Sequence, residues 1–268
     1  MKLGVEKKMN APYRPGVIIL YFPEPLIVAV FNRMEYYFNN SFFSSDLFQL
    51  LRLNVKPNRY SFMIHPDTEI RQINETIGVG VFATKRIPKG TIVFALDPLD
   101  IVLPGDDPLI KHPGLGSYIE KYSFRDEQGR RILSVDHAKY VNHHCSPNTL
   151  CTAWGFDIAV RDIEAGDELT CDYGLLNIES NMECMCGDPG CRLVIAPHDG
   201  LMHSRHWNKV IKQALKSEKE AKQPLAFLLS PVVKAQLEKY LQTGKGYISV
   251  EKMVYLEGNS NRKIRLAS

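Results

Sequence analysis

The sequence predicts a mainly β domain of short strands, followed by a cysteine-rich metal-binding loop and added C-terminal α-helices. Three observations predict it. β-Branched runs of four to six residues, separated by turn signals, fill the stretch from Val79 to Cys171. All six cysteines of the 268-residue chain lie between Cys145 and Cys191. After about His198 the apolar period changes from that of a strand to that of a helix.

Along the chain, residues 1–70 are rich in aromatics and carry no motif. Their most apolar stretch, Val17 to Phe31, is cut by Pro23, Glu24 and Pro25, which is too short and too broken for a membrane span. It reads as two buried strands around a Pro-Glu-Pro turn, and Met34–Leu53 has patchy helical spacing. Six strands are expected at Val79–Ala83, Thr91–Leu96, Ile132–Val135, Leu150–Trp154, Ile158–Arg161 and Glu168–Cys171. Turns at Pro88-Lys89-Gly90, Pro104 to Asp107 and Glu164 to Asp167 separate several of them. Many short strands without alternating helices argue against βαβ units. Trp207, Val210, Ile211, Ala214 and Leu215 then fall on one face of a helix starting near Ser204. A second helix has Ser230 as N-cap and Pro231 in its first turn; Val233, Leu237, Tyr240 and Leu241 form its stripe, and Gly244 its stop. Both stripes are expected to pack against the β body.

Composition excludes more than it selects. The chain is 44% apolar and 24% charged, which rules out wholesale disorder, collagen and a coiled-coil rod. A net charge of +3 gives no bulk argument for nucleic acid. The charge is uneven: residues 198–268 carry +7 and residues 1–197 carry −4. Such a basic tail reads first as a solvated helix face. Cysteines clustered in this way point to metal binding in a reducing compartment, not to a disulfide scaffold.

Four local features carry chemistry. Gly78-Val79-Gly80 opens a strand and exposes backbone groups to close approach, although a bulge or turn would use the same residues. It lacks the third glycine and the following helix of a dinucleotide site. Tyr140 to Asn148 (YVNHHCSPN) is dense in ligand and hydrogen-bonding atoms, or equally an Asx-type loop. Gly166 to Gly174 (GDELTCDYG) is a turn, a strand and an exit bearing a tyrosine. Cys184 to Cys191 (CMCGDPGC) gives three thiolates in eight residues, a spacing suited to tetrahedral zinc. The fourth ligand must come from elsewhere, with Cys145, Cys151, Cys171, His143 and His144 as the candidates.

In this order and spacing the four features resemble a SET-domain protein lysine methyltransferase with its post-SET zinc motif. The resemblance covers roughly residues 75–195 and implies a SET-domain (β-clip) fold whose two signature segments thread through one another as a pseudoknot. It divides the chain into an N-terminal region of unknown role (1–70), a SET domain (71–178), a post-SET zinc motif (179–197) and a C-terminal helical region (198–268). It implies that Gly78, Val79 and Gly80 cradle S-adenosyl-L-methionine, with Asn142 and His143 at its adenosine end. Tyr173 would stand at the end of the lysine channel beside the sulfonium, and Tyr122 would contact the substrate amine. Cys145 would join Cys184, Cys186 and Cys191 as ligands of a structural zinc ion.

The implied activity is transfer of a methyl group to a lysine ε-amine, with a histone tail as the substrate by family. The other readings are a non-histone protein substrate and a SET-fold binding scaffold without turnover. The reaction needs an in-line approach and a neutral amine, which desolvation and a neighbouring cation both favour; no dedicated general base stands out. There is no direct nucleic-acid motif and no membrane segment. The compartment implied is intracellular and reducing: chromatin in a eukaryote, otherwise the cytoplasm or a secreted effector. The chain departs from the family in lacking a cysteine-rich pre-SET cluster and in a brief segment between Asp97 and Lys121. Cys171 stands where the family carries Tyr or Phe, and the smaller side chain implies room for di- or trimethylation.

Overall fold

A computed structural model of the chain describes residues 64–218 and 221–256. The strands expected within Val17–Phe31 and the helical spacing of Met34–Leu53 lie outside the described residues. Twelve short strands and four α-helices make up the described part. The strands are β1 (Thr68–Asn74), β2 (Gly78–Ala83), β3 (Ile92–Ala95), β4 (Ile101–Leu103), β5 (Ser123–Arg125) and β6 (Arg131–Leu133). They continue with β7 (Asn142–His143), β8 (Thr149–Cys151), β9 (Phe156–Ala159), β10 (Glu168–Cys171), β11 (Met182–Glu183) and β12 (Val194–Ile195). The helices are α1 (Gly116–Tyr122), α2 (Asp199–Met202), α3 (Ser204–Leu215) and α4 (Pro231–Thr243).

Three small sheets and one hairpin organise these strands. One sheet has the order β1-β2-β10-β7, a second β3-β9-β8 and a third β4-β6-β5; β11 pairs with β12. The second sheet lies between two apolar layers. Ile92, Leu150, Phe156 and Ile158 pack with Trp207, Ile211, Ala214 and Leu215 of α3 and Leu237 of α4. On the other side Val93, Phe94 and Ala159 join Val81, Ala83 and Leu169 of the first sheet. A sheet covered on both faces needs apolar residues at successive positions, as Ile92-Val93-Phe94 supplies.

The C-terminal helices follow the expected pattern. In α3, Trp207, Ile211, Ala214 and Leu215 are buried, and Val210 is partly so. In α4 the Ser230 hydroxyl accepts the Val233 N–H at 3.2 Å, satisfying one of the free donors of the first turn. Gly244 ends it at φ 68°, a left-handed position where a Cβ would be strained. Trp154 fixes these helices to the sheet, its ring centroid 5.9 Å from that of Tyr240 and 5.5 Å from that of Tyr247. Eight elements have no counterpart in the expected set: the strands β1, β4, β5, β7, β11 and β12 and the helices α1 and α2. Most are only two to four residues long; β1 is polar at an exposed edge, and α1 is seven residues long and buries only Ile119. The strand expected at Ile158–Arg161 starts two residues earlier, as Phe156–Ala159. Among the described residues no helix is long and apolar enough to cross a membrane.

Candidate active site

β10 is the strand that assembles the site. It runs antiparallel to β2, with Leu169 opposite Val81, and parallel to β7, with Thr170 opposite Asn142 and Cys171 opposite His143. Three segments distant in sequence therefore meet at its end. The Asn142 amide nitrogen donates to the Val79 carbonyl at 3.1 Å and to Glu168 Oε1 at 2.7 Å, stitching the three strands together. Gly80 is needed for that stitch: a Cβ there would collide with Glu168 Oε1 and with Ile73. Gly78, at φ 87°, has open space where a Cβ would point.

A cavity of about 730 Å³ opens beside this junction, within the usual range for ligand sites. Gly78, Val79, Tyr122, Tyr140, Asn142 and Tyr173 line it. Gly80 and His143, also expected at the cofactor, are not among the residues that line it. Tyr122 ends α1, and its ring meets that of Tyr140 edge-on at 5.5 Å, making an aromatic corner. Tyr173 donates its hydroxyl proton to the Val141 carbonyl at 2.9 Å. Burial, with help from Cys171 and Glu168, pushes its pKa well up, so the side chain is a phenol at any physiological pH.

His143 joins this tyrosine to the cysteines. Its Nδ1 accepts the Tyr173 N–H at 3.2 Å, which leaves the ring proton on Nε2 when the imidazole is neutral. Burial, reinforced by the positive charge of Arg192, lowers the His143 pKa to about 4 and keeps the ring neutral. Nε2 lies 3.3 Å from Cys145 Sγ and so donates to it.

The cysteine cluster contains Cys145, Cys184, Cys186 and Cys191. Cys145 Sγ is 3.8 Å from Cys184 Sγ and 3.9 Å from Cys191 Sγ. Tetrahedral zinc with bonds near 2.3 Å needs sulfur–sulfur edges of about 3.8 Å, so the spacing fits. By proximity alone the tightest donor group is His143, Cys145, Cys184 and Cys186, within 4.8 Å of one another. Cys191 stands beside this group through its 3.9 Å contact with Cys145 Sγ, and the Tyr173 contact at Nδ1 turns the His143 proton toward Cys145. Cys151 and Cys171, the other cysteine candidates, are buried, and His144 bonds through Nδ1 to Ser146.

Arg192, directly after the last cysteine, holds this loop against the tyrosine segment. Its guanidinium bonds Asp172 Oδ1 at 2.5 Å and approaches Asp199 Oδ2 at 3.2 Å, and the Arg192 backbone N–H donates to Cys145 Sγ. Asp172 is 2% exposed; burial raises its pKa and the arginine opposes that rise. Sequence reasoning named neither Glu168 nor Asp172 for a role, although both lie inside the GDELTCDYG segment. Only the Gly80 requirement, coupled to Asn142, could have pointed to Glu168.

The family model for the SET domain matches residues 78–174. The chain is 29% identical over 152 residues to the Variant-silencing SET domain-containing protein of Plasmodium falciparum, covering 51% of this chain and 6% of that protein. It is 42% identical over 94 residues to an H3 lysine-4 specific histone-lysine N-methyltransferase of Candida albicans, covering 30% of this chain and 9% of that one. It is 37% identical over 62 residues to histone-lysine N-methyltransferase ASHH3 of Arabidopsis thaliana, covering 20% and 17%. The matches thus span less than a fifth of the length of these relatives. Among solved structures, the methyltransferase domain of human SETMAR overlays 49% of this chain and 58% of its own, with 19% identity and a TM-score of 0.34. The segment in which β10 draws the glycine, asparagine and tyrosine motifs together, residues 78–174, is a SET domain.

Proposed function

We propose that this chain is an S-adenosyl-L-methionine-dependent protein lysine N-methyltransferase acting on a histone. The observation that carries the reading is the single cavity shared by Gly78, Val79, Asn142, Tyr122 and Tyr173 within a SET domain. The names of the matched relatives, histone-lysine N-methyltransferases, support the substrate class. In a eukaryote that substrate places the protein at chromatin.

When bound, S-adenosyl-L-methionine supplies an activated sulfonium methyl group. The backbone of Gly78 and Val79 and the side chain of Asn142 hold it, with Gly80 and His143 next to them in the chain. Tyr122 and Tyr140 form aromatic walls that strip water from an entering lysine, lowering its pKa toward the neutral amine that can react. Their faces also tolerate the methylated cation that forms. Tyr173 keeps its proton on the hydroxyl oxygen and so orients and desolvates rather than acting as a base. Cys145, Cys184, Cys186 and Cys191 hold a structural zinc ion, and residues 179–197 act as a post-SET loop. Zinc there restrains Cys145, His143 and, through the His143 Nδ1 contact, the Tyr173 backbone. Residues 198–268 serve as a helical support for the domain.

Incubation of the purified chain with labelled S-adenosyl-L-methionine and core histones tests this reading. Label on a histone, lost with Tyr173→Phe, is the expected result. Bound cofactor without label on any histone, or on any protein of a lysate, would overturn it in favour of a non-catalytic scaffold.

A further inference from the structure

Asp157 occupies a position that the sheet reserves for apolar residues. Its neighbours in β9, Phe156 and Ile158, are 2% and 0% exposed and face the C-terminal helices. Strand alternation turns Asp157 to the other side, with Ala159, where Val141, Cys171 and Tyr173 pack. Asp157 lines the same cavity as Tyr122 and Tyr173, as do Lys121, Arg125, Arg131 and Lys139, none of which forms an ion pair with it. Its one hydrogen bond comes from the Cys151 thiol opposite it in the sheet, at 3.3 Å. Among the described residues no arginine, lysine or histidine pairs with it. Burial lifts its pKa to about 6, the Cys151 thiol pulling the other way. The remaining titratable neighbours are the Cys151 and Cys171 thiols and, beyond them, Asp172. None of them is a cation.

Asp157 is partly buried, and a carboxylate held largely out of water without a counter-ion is costly unless something else repays it. Leucine or valine at position 157 would suit this strand better. The missing partner of the site is a positive charge that comes and goes.

We propose that Asp157 is a substrate-recognition residue of this cavity, its carboxylate binding the side-chain ammonium of the incoming lysine. The inference rests on the methyltransferase reading for the identity of that cation. Pairing with a carboxylate stabilises the ammonium, so the residue serves binding and not the transfer itself; the amine must shed its proton and leave the pair before it reacts. Loss of Asp157 therefore raises KM for lysine substrates and does not lower kcat.

The test uses two small probes, Nα-acetyl-lysine amide and Nα-acetyl-norleucine amide, which differ only by the ammonium group. Both are titrated by NMR into the full chain and into Asp157→Asn. The wild-type protein is expected to bind the lysine probe at least about tenfold more tightly, as a hydrogen bond between charged groups implies. Asp157→Asn should bind the two alike; if that variant does not fold, Asp157→Leu is read in its place. A preference that survives in a folded variant, or no preference in the wild type, overturns the proposal. The two readings fail separately. An Asp157-dependent preference with no histone label leaves the cation site standing without the methyltransferase, whereas histone label with an Asp157-independent preference removes only the cation site.

Discussion

Gly80 shows how one missing side chain can close a site. The space above it is taken by Glu168 and the Asn142 amide, so even one methyl group there would push apart the contacts that hold β2, β7 and β10 together. Gly80→Ala should therefore weaken S-adenosyl-L-methionine binding and cost about 1–3 kcal/mol of stability by overpacking, read by calorimetry and urea unfolding. An unchanged Kd would show that the stitch is not needed for the ligand surface. Asp157 makes a different prediction. Its folded pKa of about 6 lies above the ordinary carboxylate value, so between about pH 4 and 6 the folded chain holds a proton that the unfolded chain has released. Stability contributed by this group thus falls as pH rises through that window, and above it the folded state carries a penalty of about 2–3 kcal/mol. Asp157→Asn should melt about 5 °C or more above wild type at pH 7.5 and level with it near pH 4. A variant that melts lower at pH 7.5 would mean that the carboxylate is already paired.

Arg192 belongs to the same scale and has the opposite sign. It is the partner that Asp172 and Asp199 share, and its removal leaves two buried carboxylates facing each other. Arg192→Ala should cost about 3–5 kcal/mol in urea unfolding, since breaking a buried pair strands its charges. A cost below about 1 kcal/mol would mean that water replaces the guanidinium.

At the scale of elements, the cysteine loop is coupled to the tyrosine by one imidazole. Cys145 accepts a hydrogen bond from His143 Nε2, and His143 Nδ1 accepts one from the Tyr173 backbone N–H. Chelation should remove one zinc per chain and abolish methyl transfer while α3 and α4 keep their far-UV signal. Full activity in metal-free protein would contradict a role for the loop in shaping the site. The elements also show what a sequence can reveal. NHHCSPN, CDYG and CMCGDPGC are contiguous, so their chemistry is visible in a line of letters. α3 and α4 were equally legible, because burial on one face imposes a period and caps mark the ends. By contrast, the choice of Cys145 over Cys151 and Cys171 depends on how the chain folds back, and spacing alone left all of them open. α1 was missed because seven residues burying one isoleucine leave no periodic trace, and β1 because an exposed edge strand needs little apolar alternation. Asp157 falls between the strands expected at Leu150–Trp154 and Ile158–Arg161, and its place inside β9 follows only from the pairing with Cys151 and Phe94.

The described residues are layered: the site-bearing sheet, the β3-β9-β8 sheet and the C-terminal helices share two apolar interfaces. The helices are thus built onto the back of the sheet whose front carries Asp157. Trp154, 4% exposed among Phe156, Tyr240 and Tyr247, packs between them. Trp154→Ala should destabilise the chain by about 3–5 kcal/mol and make residues 204–243 protease-sensitive. Release of those helices from the wild-type protein while the β domain stays intact would show that they are an independent appendage. Among the described residues Arg205, Lys209 and Lys212 of α3 and Lys234 and Lys239 of α4 are exposed, while the apolar stripes turn inward.

The central claim is that the cavity between Gly78, Asn142, Tyr122 and Tyr173 transfers methyl groups to lysine. Intact-mass spectrometry of core histones, after incubation with S-adenosyl-L-methionine and the zinc-loaded chain, tests it most directly. The account predicts a ladder of two or three added methyl groups on one histone lysine, with space provided by Cys171, and no ladder with Tyr173→Phe. A single methyl step would contradict the part assigned to Cys171. Unmodified histones beside protein that demonstrably binds S-adenosyl-L-methionine would contradict the claim of histone methylation itself.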